Sequence, residues 1–116
     1  NKPLYAEVVK RWAAYVGTSF QRGVTTSALP VQVYALFGGQ WPHSSYMVPG
    51  GVMSAPTLKD ITRAHAIMNQ FRKDWLESIF LGCSIVRYLQ IKTWDDFLAW
   101  VDENEIQRNS DLGLFI

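Results

Sequence analysis

The residues best suited to chemistry lie in one stretch, in which two Gly-Gly pairs enclose a Pro-His and a Pro-Gly step. The stretch covers residues 38–52 and reads GGQWPHSSYMVPGGV. Paired glycines reach backbone angles that other residues avoid, and prolines fix φ. Such a segment is typical of a shaped loop that holds functional groups on a rigid scaffold.

His43 is the sharpest candidate within this loop. An imidazole can relay a proton near neutral pH or bind a metal ion. The alternative role is structural, in which the ring holds the loop by a hydrogen bond to a backbone carbonyl. On residue type alone, the structural role is the more frequent one.

The other chemically capable residues form no recognisable constellation. His65 falls in the middle of a helical pattern and is interpreted as a surface or interface group. The residues next to Cys83 are apolar, which favours an inert buried thiol over a nucleophile. The chain has no Cys-x-x-Cys or His-x-x-x-His pattern, so spacing predicts no metal site. The acidic residues at 95–96 and 102–105 read as helix caps and solvated charges. Neither Gly-Gly pair fits a nucleotide-binding pattern.

Composition places the chain among small single-domain proteins. It has 116 residues, a formal net charge of +1 and one cysteine. This balance of basic and acidic residues gives no excess positive charge that would indicate binding to nucleic acid or to an anionic membrane surface. The single cysteine excludes an internal disulfide and favours a reducing compartment. No stretch reaches the length of about 18 apolar residues that suggests a membrane span.

Hydrophobic periodicity predicts a mainly α fold, with three to four helices around a long irregular loop rich in Gly, Pro and aromatic residues. Thr57 and Thr93 are good N-cap residues with acids in the following turn. In the first half, the expected elements are a helix over 3–21, a connection over 23–28, a short helix or strand starting at Ser27 or Leu29 with Pro30 and ending at Gly38, and the loop up to Pro56. In the second half, they are a long helix from Thr57 with a kink at Gly82, a helix over 94–104, a turn at 109–111 and a tail over 112–116 whose last three residues, 114–116, are strand-like.

The apolar content is high for a free-standing domain. Hydrophobic residues make up 48% of the chain and there are 8 glycines, which brings the apolar fraction to about 55%, above the usual range of about 45–50%. Five Trp, five Tyr and six Phe are many for so small a core. We therefore expect some faces to be buried against other protein, and the isolated chain to self-associate.

The order of the loop residues resembles a known family signature. Residues 37–43, FGGQWPH, followed by 48–52, VPGGV, are similar to the Gly-Gly-x-x-Pro-His and Gly-Gly-Val signature inside the large subunit of nickel–iron hydrogenases. The longer motif PHSSYMVPGGV most resembles the uptake or sensory type of that family. A helix entering the loop, a capped helix leaving it and the NSDLG turn at 109–113 fit as well, so the resemblance spans most of the chain.

The resemblance implies that this chain is one internal segment, residues 1–116, of a much longer catalytic subunit. In the family, four cysteines in two Cys-x-x-Cys motifs, one near each end, hold nickel and iron. Neither motif is present here, so the fragment would bind no cofactor and would be inactive alone, and Cys83 receives no nickel role. The whole enzyme would convert dihydrogen reversibly to protons and electrons.

The resemblance also implies roles for the loop residues. His43 matches a histidine that lies near the active site and helps to order the route towards the nearest cluster. Six positions match or adjoin those that shape the loop: Gly38, Gly39, Pro42, Pro49, Gly50 and Gly51. The implied partners are the small subunit with its iron–sulfur clusters and the rest of the large subunit. The implied location is cytoplasmic, with membrane association through partner subunits.

The alternative is a free-standing helical protein-binding module that uses the 38–52 loop as its interaction surface. The sequence contains no partner motif for such a module, and its apolar excess counts against a soluble monomer. An open reading frame that continues past both ends with a Cys-x-x-Cys motif on each side would favour the hydrogenase.

Overall fold

A computed structural model describes residues 2–53 and 55–116, without the side chain of Lys2. The expected mainly α class is confirmed: these residues form seven α-helices, one π-helix and a two-stranded antiparallel ribbon. The elements are α1 Lys2–Trp12, α2 Thr18–Gly38, β1 Met47–Val48, β2 Gly51–Val52, α3 Leu58–Phe71, the π-helix Arg72–Leu81, α4 Ile85–Tyr88, α5 Trp94–Asp102, α6 Glu105–Arg108 and α7 Asp111–Phe115.

The chain divides into two compact units. The terminal unit combines the chain up to Gly23 with Arg72–Ile116, and the central unit is Val24–Phe71. The central unit contains most of α2, the ribbon and α3, and therefore the whole 38–52 loop.

Trp100 is the centre of the terminal unit and is fully buried. Its ring stacks on Phe97 and meets the edge of Tyr88, with ring centroids 5.6 Å apart in both pairs. Its indole Nε1 donates a hydrogen bond to Sγ of Cys83 at 3.3 Å, which gives the half-buried thiol a structural contact. Leu81, at the end of the π-helix, is also buried.

A buried polar contact joins the first and last parts of the terminal unit. Ser19 Oγ, in the first turn of α2, donates to Asp111 Oδ1 at 2.5 Å, and each residue is only 2% exposed. Because the Asp111 carboxylate is shielded from water, a charge-assisted hydrogen bond of this kind contributes more to the free energy of folding than a neutral one. It connects residues 92 positions apart in the chain.

The helix count of three to four was too low because capping side chains start several short helices in the terminal unit. Ser84, Thr93, Asn104 and Ser110 each accept a backbone N–H and begin α4, α5, α6 and α7. The strand-like end predicted over 114–116 was also wrong, since Leu114 and Phe115 belong to the helix Asp111–Phe115. Local capping therefore overrides the apolar, strand-like composition of the tail.

The predicted helix over 3–21 is broken between Trp12 and Thr18. Tyr15 adopts a positive φ of 67° there, a conformation outside the right-handed helical region. Gly17 is buried so close to the backbone of Arg11 that a Cβ atom would overlap its carbonyl group. This tight turn separates α1 from α2.

The predicted connection over 23–28, and a helix starting near Pro30, were wrong because α2 continues through both. Gly23 faces open space within the helix. Ser27 Oγ donates to the Val24 carbonyl at 2.7 Å, so this polar side chain is satisfied without leaving the helix. The strand alternative for the following residues is excluded, since they are helical up to Gly38.

The long helix predicted from Thr57 is present, but its hydrogen-bonding pattern changes from α-helical to π-helical along its length. It is α-helical over α3 and π-helical from Arg72 to Leu81, and it ends at Gly82, whose φ is +69°. A Cβ atom at Gly82 would lie 2.8 Å from the carbonyl oxygen of Ile106, so this position needs glycine for space as well as for conformation. No helix in the described part of the chain is both long and apolar enough to cross a bilayer.

We predict that Ser19→Ala lowers the free energy of unfolding by about 1–3 kcal/mol, because it leaves a buried carboxylate without this donor. Urea denaturation followed by circular dichroism measures the change. Ser27→Ala is the matched control: it removes an exposed serine from the same helix and should change stability by less than about 0.5 kcal/mol. Equal effects of the two substitutions would contradict a special role for the buried contact.

Candidate functional site

The 38–52 loop and the C-terminal half of α2 form an open cleft of about 580 Å³ in the central unit. Its walls are mainly apolar, with an imidazole, two phenols and a hydroxyl as polar groups. The lining residues are Val33, Tyr34, Phe37, Gly38, Pro42, His43, Ser44, Tyr46 and Met47. The structure thus brings together three of the residues singled out in the sequence, Gly38, Pro42 and His43.

Contacts made by its own side chains close the first half of the loop. Trp41 meets Tyr34 of α2 edge to face, with ring centroids 4.8 Å apart. Ser44 Oγ donates to the Gly38 carbonyl at 3.3 Å and accepts from the Tyr46 N–H at 3.1 Å. The side-chain amide of Gln40 donates to the carbonyl oxygen of His43. A segment without a core beneath it is therefore held by short-range hydrogen bonds and one aromatic contact.

The second half of the loop is the β1–β2 ribbon. Met47 pairs with Val52 and Val48 with Gly51. Pro49 and Gly50 form the turn between the strands, and Gly50 has a φ of +91°. Proline at the second turn position and a left-handed glycine at the third are the arrangement of a type II turn. This gives a physical role to two of the predicted loop-shaping residues.

Gly38 lies in a tight space but does not have an unusual backbone angle. A Cβ atom built there would lie 2.9 Å from Ser44 Oγ and 3.4 Å from the ring of Tyr34. Its neighbour Gly39 has a φ of +82°, which favours glycine for conformational reasons. The first Gly-Gly pair therefore combines a close approach with a left-handed residue.

His43 is exposed at the mouth of the cleft. Among residues 2–53 and 55–116, no side chain or backbone group hydrogen-bonds its imidazole, so both ring nitrogens can reach a ligand or solvent. His65 differs, because it lies on α3 and its ring contacts the Asn69 amide at 3.2 Å. Within the described ranges, no three His, Cys, Asp or Glu side chains come together as a potential metal site.

A capping box begins α3 directly after the loop, as predicted for Thr57. The N–H and Oγ1 of Thr57 donate to Asp60 Oδ2 at 2.9 and 2.7 Å, and the Asp60 N–H donates back to Oγ1 at 3.3 Å. These hydrogen bonds lower the pKa of Asp60 below its ordinary value, and the bond from the Thr57 side chain contributes most.

Thr93 lowers the pKa of Asp96 in the same way at the start of α5. At the end of α5, hydrogen bonds from Arg87 and then Gln107 lower the pKa of Glu103.

The sequence pattern does not single out Tyr34 and Ser44, which line the cleft, or Gln40, which contacts His43. It marks Gln40 and Ser44 only as loop residues and Tyr34 only as an apolar position of a helix. The available signal was spacing, since Tyr34 lies one helical turn before Gly38, next to the point where α2 ends. The hydrogen bonds of Gln40 and Ser44 had no such signal, because they depend on the folded path of the loop.

The fold and site define a mainly helical chain whose Gly/Pro/aromatic loop forms an apolar cleft around an exposed histidine. No protein-family model and no curated protein sequence matches the chain.

We predict that Thr57→Val returns the pKa of Asp60 towards its ordinary value of 3.8, because it removes the hydroxyl that stabilises the carboxylate. Since the folded-state pKa is lowered, the contribution of the cap is present above the unfolded-state pKa and is lost as pH falls through the folded value. A ¹³C-carboxyl NMR titration measures the midpoint. Thr62→Val, in the same helix, should leave it unchanged, and an unmoved midpoint in Thr57→Val would refute the assignment.

We predict that Gly38→Ala destabilises the central unit by about 1–3 kcal/mol, because the added methyl group forces Ser44 away. Ser44→Gly removes the obstructing side chain together with its hydrogen bonds, so Gly38→Ala should cost much less in a Ser44→Gly background than in the wild type. Gly23→Ala is the control, since open space surrounds this helical glycine and alanine there should stabilise by about 0.5–1 kcal/mol. Amide exchange and urea denaturation measure these effects, and an equal cost of Gly38→Ala in the two backgrounds would contradict the steric argument.

Proposed function

We propose that this chain is an internal segment of the large, catalytic subunit of a nickel–iron hydrogenase of the uptake or sensory type. The parent enzyme converts dihydrogen reversibly to protons and electrons. The observation that carries the proposal is the ordered motif of residues 37–43 and 48–52, which resembles the family signature in both glycine pairs and in the Pro-His step.

The local structure supports this reading of the motif. The space at Gly38, the left-handed angles of Gly39 and Gly50 and the position of Pro49 give the spacing of the motif a conformational reason. His43 lines the cleft, and no described residue hydrogen-bonds its imidazole. A group that exchanges protons beside an active site needs this access to ring nitrogens.

The residues of this chain do not fit a nickel–iron centre of their own. Such a centre is bound by several thiolates, and this sequence has one cysteine. The sulfur of Cys83 accepts a hydrogen bond from Trp100, and within the described ranges no metal-ligand cluster surrounds it. We therefore assign the metal chemistry to parts of the parent subunit outside residues 1–116, and only a proton-exchanging role to His43.

The surface around the loop suits a protein partner. Trp41 is 56% exposed, Met47 85% and Met53 70%, which is more large apolar surface than a short loop usually leaves in water. In the proposed enzyme, the small subunit with the iron–sulfur clusters and the rest of the large subunit would cover such surface. We infer a cytoplasmic enzyme that reaches the membrane through partner subunits.

A second candidate function is a helical protein-binding module that uses the same loop. The apolar cleft favours it, because clefts of this size and lining accept apolar side chains. It differs from the hydrogenase in needing no metal-binding segments on either side of the chain.

We predict that His43→Ala, made in the complete parent subunit assembled with its small subunit, lowers the hydrogen oxidation rate roughly ten- to hundredfold. The nickel content should stay unchanged, because His43 is not a ligand. Hydrogen-dependent dye reduction and metal analysis measure the two quantities. His65→Ala is the control, since His65 lies on α3 away from the motif and should leave the rate unchanged.

Two results would contradict the proposal. One is a reading frame with stop codons at both ends of this segment. The other is a complete subunit that carries both Cys-x-x-Cys motifs and its partner but neither binds nickel nor oxidises hydrogen.

A further inference from the structure

Gln40 lies outside the cleft but contacts the histidine that lines it. Its side-chain amide Nε2 reaches across Trp41 and Pro42 to donate a hydrogen bond to the carbonyl oxygen of His43. Gln40 itself is exposed and is not among the residues that line the cleft. Any effect it has on the cleft must therefore pass through the backbone of His43.

The other side-chain contacts of the loop involve groups other than the His43 carbonyl. Ser44 connects the Gly38 carbonyl with the Tyr46 N–H, so it ties the two ends of the turn together. Trp41 is held through its ring, which packs on Tyr34. Neither contact involves the carbonyl group of His43, which accepts from Gln40.

We propose that Gln40 is a positioning residue for His43. Its amide N–H holds the His43 carbonyl, and through it the backbone angles that direct the imidazole to the cleft. The catalytic relevance of this restraint rests on the proposed function of His43, but the restraint itself is a property of the loop.

The chemistry of the contact sets a strict requirement at position 40. A carbonyl oxygen only accepts, so residue 40 must supply a donor at the end of a long side chain. Ionised glutamate has the same shape as glutamine but only accepts. Methionine has a similar length with neither a donor nor a charge, and lysine is long and donates.

The test uses the chain itself, labelled with ¹³C and ¹⁵N, as wild type and as Gln40→Glu, Gln40→Met and Gln40→Lys. Two NMR quantities report on the restraint: the ¹³C carbonyl shift of His43, which responds to hydrogen bonding, and the backbone order parameter of His43. We expect an order parameter of about 0.85 in the wild type and below about 0.6 in the Glu and Met variants, together with a changed carbonyl shift. The Lys variant should keep wild-type values of both.

The resonances of His65 and the far-ultraviolet circular dichroism should stay unchanged in all variants, which shows that the fold is intact. Wild-type values in the Met or Glu variant would overturn the proposal, and so would equal losses in the Lys and Met variants. The experiment measures no hydrogenase activity, so its outcome is independent of that of His43→Ala in the assembled enzyme.

Discussion

The hydrogen bond from Ser19 to Asp111 is the contact on which the terminal unit depends most. It places a carboxylate and its donor out of water and thereby joins the start of α2 to the start of α7. Around it, the apolar core is small: Leu81, Trp100 and Leu114 are the buried large hydrophobic residues of the described part of the chain. Where so little apolar surface is buried, a single buried polar contact accounts for a large share of a marginal stability.

The central unit differs, because Ala64 is the only buried hydrophobic residue among its described positions. Local hydrogen bonds of Gln40 and Ser44 and the edge-to-face contact of Trp41 with Tyr34 provide the order that packing provides elsewhere. These contacts leave the imidazole of His43 free. The same arrangement exposes Trp41 and Met47, which suits a surface that a partner protein covers.

How far the sequence could predict the fold depended on the range of the interactions. The Thr57 and Thr93 caps were predicted correctly because a cap needs only the next three residues. The helix over 3–21 failed because the break before Thr18 depends on how closely Gly17 approaches the backbone of Arg11. The tail failed because the Ser110 cap outweighs the β propensity of its apolar residues. The place of His43 in a cleft followed from neither periodicity nor capping.

By itself, the sequence determined the helical class, the two principal caps and the existence of a loop between Gly38 and Pro56, since these rest on local propensity and on residues only a few positions apart. It also contained the ordered motif that motivates the hydrogenase proposal. The tertiary structure alone decided that Asp111 is buried against Ser19, that Ser44 crowds position 38 and that Gln40 donates to the His43 carbonyl. These outcomes depend on the path of the folded backbone, which brings together groups that no local pattern in the sequence relates.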